Sequence, residues 1–184
     1  MLPPGHVAGG YLTAYALLKI TKPDFDITQF HQLLYAGAFF GFAPDLDFFI
    51  AFIKVRGFTF SGHEEINHRN FLTHTPILWF AIGLLVYYFA QTTFTASVGL
   101  LIWLGAWSHF LLDSLQYGIM WLWPFSSYHY SFKDREIQMP HVQKKGFFIY
   151  WVSFLRFYKN KLSLTYYSEI VIILIALYVF TFLG

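Results

Sequence analysis

Apolar residues fall in runs of different length, set apart by short polar breaks. Residues 6–20 (HVAGGYLTAYALLKI) predict a first helix, short for a full crossing and closed by Lys19, Lys22 and Pro23. Residues 28–43 predict a second, stopped at Pro44 because proline turns the preceding residue away from helical geometry. The run 48–55 is apolar but too short to cross a bilayer, which suits an interfacial or re-entrant piece, and 56–75 is the most polar stretch. Thr75-Pro76 has the form of a helix start, with threonine as cap and proline at the first helical position. A span follows to about Gln91, and a short turn leads into the long apolar helix predicted over 96–123. Residues 124–166 form a mixed loop of aromatic and basic residues, where Phe154-Leu155-Arg156-Phe157-Tyr158 suits a membrane surface. A final span covers 170–183, within a closing segment 167–184.

Composition turns these runs toward a membrane. The chain has 184 residues, 57% hydrophobic and only 12% charged, about half the charge of an average soluble domain. The pattern predicts an all-α integral membrane bundle of four or five hydrophobic segments, folded as one domain over 1–184. A net charge of +2 with scattered basic residues argues against nucleic acid. The absence of cysteine excludes disulfides and thiolate metal sites. The start of the chain has no basic n-region or small-residue cleavage site, so its first helix is expected in the mature protein.

Lysine and arginine placement predicts the orientation. The loops at 44–75 and 124–166 carry Lys54, Arg56, Arg69, Lys133, Arg135, Lys144, Lys145, Arg156, Lys159 and Lys161, against Lys19 and Lys22 on the other side. The positive-inside rule then puts the N-terminus in the cytoplasm. His6, Asp45, Asp47, His68 and His74 would share that face. His109 and Asp113, about 20–25 Å along their inward-running helix, would reach the same depth.

Those residues carry the chemistry. His109 and Asp113 are four apart, so imidazole and carboxylate share a helix face inside an apolar run, where ionisable groups are costly and usually functional. Gln116 and Tyr117 continue that face as supporting residues. The same pair also fits a plain buried hydrogen bond locking two helices. Pro44-Asp45-Leu46-Asp47 ends a membrane segment with two carboxylates that repel unless solvated, protonated or paired with a cation. Asp45 is the candidate ligand and Asp47 a ligand or general base; a helix stop with a capping aspartate is the structural alternative. His68-Arg69 and His74 precede a helix N-terminus, which suits an anionic phosphate held bidentately by Arg69. His63-Glu64-Glu65 followed by His68 is no zincin motif, because its histidines are five apart rather than four. His31, His129 and His141 fit interfacial or solvated positions.

The ordered set His6, Pro44-Asp45-Leu46-Asp47, His68-Arg69, Thr73-His74-Thr75, His109, Asp113, Gly118 and Leu122-Trp123-Pro124-Phe125-Ser126 resembles the YdjM-like family over residues 1 to about 130. Its members are bacterial and archaeal inner-membrane proteins described as membrane-bound metal-dependent hydrolases. The family in turn is similar to zinc-dependent phospholipase C. That similarity implies one metal held by Asp45, His68, His109 and Asp113, with Asp113 bridging to a second bound by His6.

The function expected is hydrolysis of a phosphoester by metal-activated water, on a membrane lipid or lipid-linked phosphate. One to three divalent ions are expected, zinc first, then manganese or magnesium. Asp47 or His74 would move the proton and Arg69 would hold the phosphate. The setting is the inner membrane, multi-pass, with the site on the cytoplasmic side. Two other readings use the same residues: a transporter or proton relay, and a non-enzymatic protein with a structural metal site.

Overall fold

Prolines and capping residues set where the helices begin. A computed structural model describes residues 1–47, 70–115, 118–133, 147–161 and 163–183. Helix α1 (Pro3–Thr21) starts on proline and ends in a left-handed Lys22. Helix α2 (Ile27–Phe42) starts at a capping box, in which the Asp26 side chain accepts from the Gln29 N–H and Gln29 reaches back. It runs into a 3-10 turn, Ala43–Leu46, around Pro44. A second 3-10 turn, Leu72–His74, leads to α3 (Pro76–Tyr88). Thr75 does not cap α3 with its side chain; its hydroxyl donates to the Leu72 carbonyl at 2.6 Å. Helix α4 (Thr93–Asp113) opens on a Thr92–Thr95 capping box, and α5 (Phe147–Lys161) and α6 (Ser163–Phe182) close the chain.

The helix expected over 96–123 starts earlier and stops at Asp113. Beyond it the chain folds back, with Ile119 and Tyr130 exchanging backbone hydrogen bonds of 3.0 and 2.9 Å and Phe132 N–H reaching the Ser114 carbonyl. The stretch expected as a loop over 124–166 includes α5, and the last helix begins at Ser163, ahead of 170. The 48–55 piece lies outside the described residues.

All helices described are α or 3-10, as expected, but the number of spans is smaller. Among the described residues two helices are long and apolar enough to cross a bilayer, α4 and α6, where the sequence predicts four or five. With 16 and 13 residues, α2 and α3 fall short of the about 20 a crossing takes. Helix α1 is long enough, but Gly5, His6, Gly9, Gly10, Thr13 and Lys19 lower its apolarity. Only 22% of the apolar stretch of α6 is buried in the protein. Its outward Val171, Leu174, Leu177 and Phe180 suit contact with lipid rather than water.

Helix α1 is the centre of the bundle, packed against α2, α4 and α6, while α4 also packs on α2 and α3. The core holds Ala8, Tyr11, Ala14 and Leu18 of α1, Leu33 and Leu34 of α2, Leu101 of α4, and Ala176 and Val179 of α6. Glycines set the α1–α2 separation. A Cβ added to Gly10 would lie 2.2 Å from the Gly37 carbonyl oxygen, and one on Gly41 2.5 Å from the His6 carbonyl oxygen. Only glycine allows this backbone contact, the small-residue packing of membrane helices.

Candidate metal centre

The antiparallel run of α1, α2, α3 and α4 brings two helix starts and two helix ends to one end of the bundle. His6 lies in the opening turns of α1, and Asp45 in the turn after α2. His74 precedes α3, and His109 and Asp113 close α4. Five sequence-predicted residues thus meet: His6, Asp45, His74, His109 and Asp113. All but Asp45 are fully buried, and Asp45 keeps 14% of its side chain exposed.

Two triads share His109. His74, His109 and Asp45 form one, and His6, His109 and Asp113 the other, with ligand atoms in each within 4.8 Å of one another. In the first, the Nε2 atoms of His74 and His109 face each other at 3.3 Å. Asp45 Oδ1 lies 3.7 Å from His74 Nε2 and 3.6 Å from His109 Nε2. In the second, His6 Nε2 is 3.2 Å from Asp113 Oδ1, and its ring stacks on His109 at 3.7 Å between centroids. Asp45 turns its other oxygen, Oδ2, toward His6 Nε2 at 3.9 Å. One carboxylate therefore faces both triads. The Met1 α-amino group also reaches Asp113 Oδ1, in a pair closed off from solvent.

The outer nitrogens of two rings are already engaged. His109 Nδ1 donates to the Gly41 carbonyl at 3.0 Å, and His74 Nδ1 to Asp47 Oδ2 at 2.6 Å. These acceptors place the ring proton on Nδ1 in both, which turns the Nε2 lone pairs inward. Two acceptor nitrogens at 3.3 Å repel unless a cation or a shared proton lies between them. Two nitrogens bound to one tetrahedral zinc at about 2.0–2.1 Å would sit about 3.3–3.4 Å apart. His6 adds a second sign, because neither of its buried ring nitrogens makes a hydrogen bond among the described residues. Nitrogen and oxygen donors in this arrangement fit a divalent ion.

Backbone and indole contacts hold the His74 turn in place. Trp79 Nε1 donates to the Thr73 carbonyl at 2.7 Å, and Trp107 Nε1 to the Pro76 carbonyl at 3.0 Å. Asp47 sits behind His74 rather than beside the shared space. It is 2% exposed, and its Oδ2 also accepts from the Thr73 hydroxyl at 2.6 Å. His68 and Arg69 lie outside the described residues, as do His63, Glu64, Glu65, Gln116, Tyr117 and His141. His31 lies toward the start of α2, at the other end of the bundle, beside Phe30 and Tyr35. His129 is half-buried against Gly118, not solvated.

Sequence reasoning gave no role to three supports: the Gly41 carbonyl, Thr73 of the quoted motif, and Glu169 on α6, whose oxygens meet the start of α1. Glu169 left a signal of its own, a lone acid just ahead of the last apolar run.

Comparison with known proteins agrees with a membrane setting. The family model described as YdjM inner membrane protein matches residues 1–184, and the chain belongs to that family. No curated protein and no solved structure matches it.

Proposed function

We propose that this member of the YdjM inner membrane protein family is a metal-dependent hydrolase acting on a phosphoester of a lipid or lipid-linked substrate. The observation that carries the reading is the inward pair of His74 and His109 Nε2 atoms, 3.3 Å apart, with Asp45 Oδ1 alongside. His74, His109 and Asp45 would hold one divalent ion, zinc first, with manganese and magnesium as the other candidates. His6 and Asp113, with the shared His109, would hold a second, and Asp45 stands between the two groups with Oδ2 turned toward His6. This puts Asp45 between the two groups, where the phospholipase C likeness implies Asp113.

A bound ion would lower the pKa of its water toward neutrality and polarise the phosphoryl oxygen. The chain supplies the rest. Asp45 is the partly exposed member of the group and marks the side open to substrate. His74 serves as a ligand rather than a proton carrier, because its Nδ1 is committed to Asp47. Asp47 then acts as a positioning residue, holding the ring in the tautomer that presents Nε2. His68 as a further ligand and Arg69 as a bidentate phosphate grip are carried over from the sequence motif alone. Full burial of four ligands also suits a structural ion, and turnover decides between the two.

A panel of phosphodiesters and phosphomonoesters, given to protein purified in detergent, tests the reading. Metal-dependent turnover of a lipid phosphoester is expected, and none on any member would refute catalysis. Asp47→Asn should keep the fold and weaken metal binding about 10–100-fold, as loss of a ligand's supporting partner does. Unchanged affinity in a chelator competition would return Asp47 to a different role.

Orientation is tested cleanly because the chain has no cysteine. Asp24 is exposed at the α1–α2 turn, and Phe125 is 95% exposed at the end that holds the site. With the site on the cytoplasmic side, Asp24→Cys should react with an impermeant maleimide in intact cells whose outer membrane admits the reagent. Phe125→Cys should react only after the inner membrane is opened. The reverse pattern would put the site on the outer face.

A further inference from the structure

Glu169 is a carboxylate in the apolar helix α6, 5% exposed, where an ionisable group is expensive to keep. Its two oxygens meet the start of α1. Oε1 accepts from the Gly5 N–H at 3.1 Å and Oε2 from the Leu2 N–H at 3.4 Å. Oε2 also accepts from the hydroxyl of Tyr158, a buried residue of α5. Helix α1 has no side-chain cap of its own at Leu2. Glu169 therefore supplies from another helix what a capping residue supplies locally: an acceptor for first-turn amides and a negative charge at the positive helix end.

The contact is fitted rather than incidental. A Cβ on Gly5 would lie 2.8 Å from Glu169 Cγ and 2.9 Å from its Oε1, so glycine leaves the room the carboxylate uses. The next residue is His6. Neither ring nitrogen of His6 makes a hydrogen bond among the described residues, so α1 itself must set the place of its ring. The stacking on His109 at 3.7 Å and the 3.2 Å approach to Asp113 depend on how far and at what rotation α1 enters the site.

We infer that Glu169 is the positioning residue for His6: by capping α1 from α6 it sets where this imidazole meets His109 and Asp113. The inference rests on the metal reading above and adds the final helix to the site's construction. Tyr158 fixes the carboxylate from the third side and ties α5 to the same point.

The test uses the purified full chain and cobalt(II), by titration and by visible spectrum, for wild type, His6→Ala, Glu169→Leu, Glu169→Gln and Gly5→Ala. Glu169→Leu should bind cobalt about 10–100-fold more weakly, with its spectrum shifted toward that of His6→Ala. Glu169→Gln keeps an acceptor for Gly5 and should recover affinity to within about threefold, a rescue that a packing role would not show. Gly5→Ala displaces the carboxylate without removing it, and should reproduce the Leu variant even if that variant does not fold. Wild-type affinity and spectrum in Gly5→Ala and in every folded Glu169 variant would overturn the inference and leave the metal reading standing. Equal losses in Leu and Gln would overturn it as well. A wild-type chain that binds no cobalt would overturn both.

Discussion

If the proposed metal-dependent hydrolysis holds, His109→Ala is expected to lose metal and phosphoester turnover together while staying folded. His109 is the one residue common to both triads, so its removal takes a ligand from each of them. Turnover should fall by at least the roughly 10²–10³-fold that follows loss of a single preorganised electrostatic contact. The fold should persist, because α4 keeps its core contacts through Leu101, Ala106 and Phe110. His31→Ala, at the other end of the bundle, should match wild type. The checks are metal content per chain, turnover, and the melting transition in detergent. A His109→Ala protein with wild-type metal and rate would place the chemistry elsewhere.

Gly41→Ala is expected to give a large loss of stability. The added Cβ would fall 2.5 Å from the His6 carbonyl oxygen and 2.8 and 2.9 Å from Gly10 Cα and N. These atoms belong to backbone and cannot rotate away, so α1 and α2 must separate. Overpacking of this kind costs about 3 kcal/mol or more when backbone has to yield. The displacement would also move His6 and the Gly41 carbonyl that orients His109, so metal binding should fall with stability. Gly105→Ala is the milder comparison. Its Cβ meets the Phe40 Cβ at 3.0 Å and the Gly37 carbonyl oxygen at 3.3 Å, where small shifts suffice. Thermal melts of the two variants measure the difference, and equal melting points would contradict the close-packed α1–α2 contact.

Much of the site was legible because its signals are local. The four-residue spacing puts His109 and Asp113 on one helix face, and Pro44 and Pro76 mark a helix stop and a helix start. Alternating helix directions then bring those ends to a single depth. What stayed hidden depends on tertiary pairing. Nothing local says that Asp47 turns to His74 or that the Gly41 carbonyl accepts from the His109 Nδ1–H. The apolar residues after Asp113 continue the pattern of α4, yet the Ile119–Tyr130 bridge folds them back. Among the described residues fewer helices reach span length than expected, because α2 and α3 are short and polar residues interrupt α1. Glu169 was readable by the rule that singled out Asp113, since it is an acid bordering an apolar run.

X-ray absorption at the edge of whatever metal co-purifies, on protein prepared without added ions, tests the central claim most directly. The account predicts a tightly held divalent ion with an all nitrogen-and-oxygen shell at about 2.0–2.2 Å. It also predicts outer-shell scattering from at least two imidazoles, reduced in His74→Ala. A chain that purifies metal-free and takes up no divalent ion would contradict it.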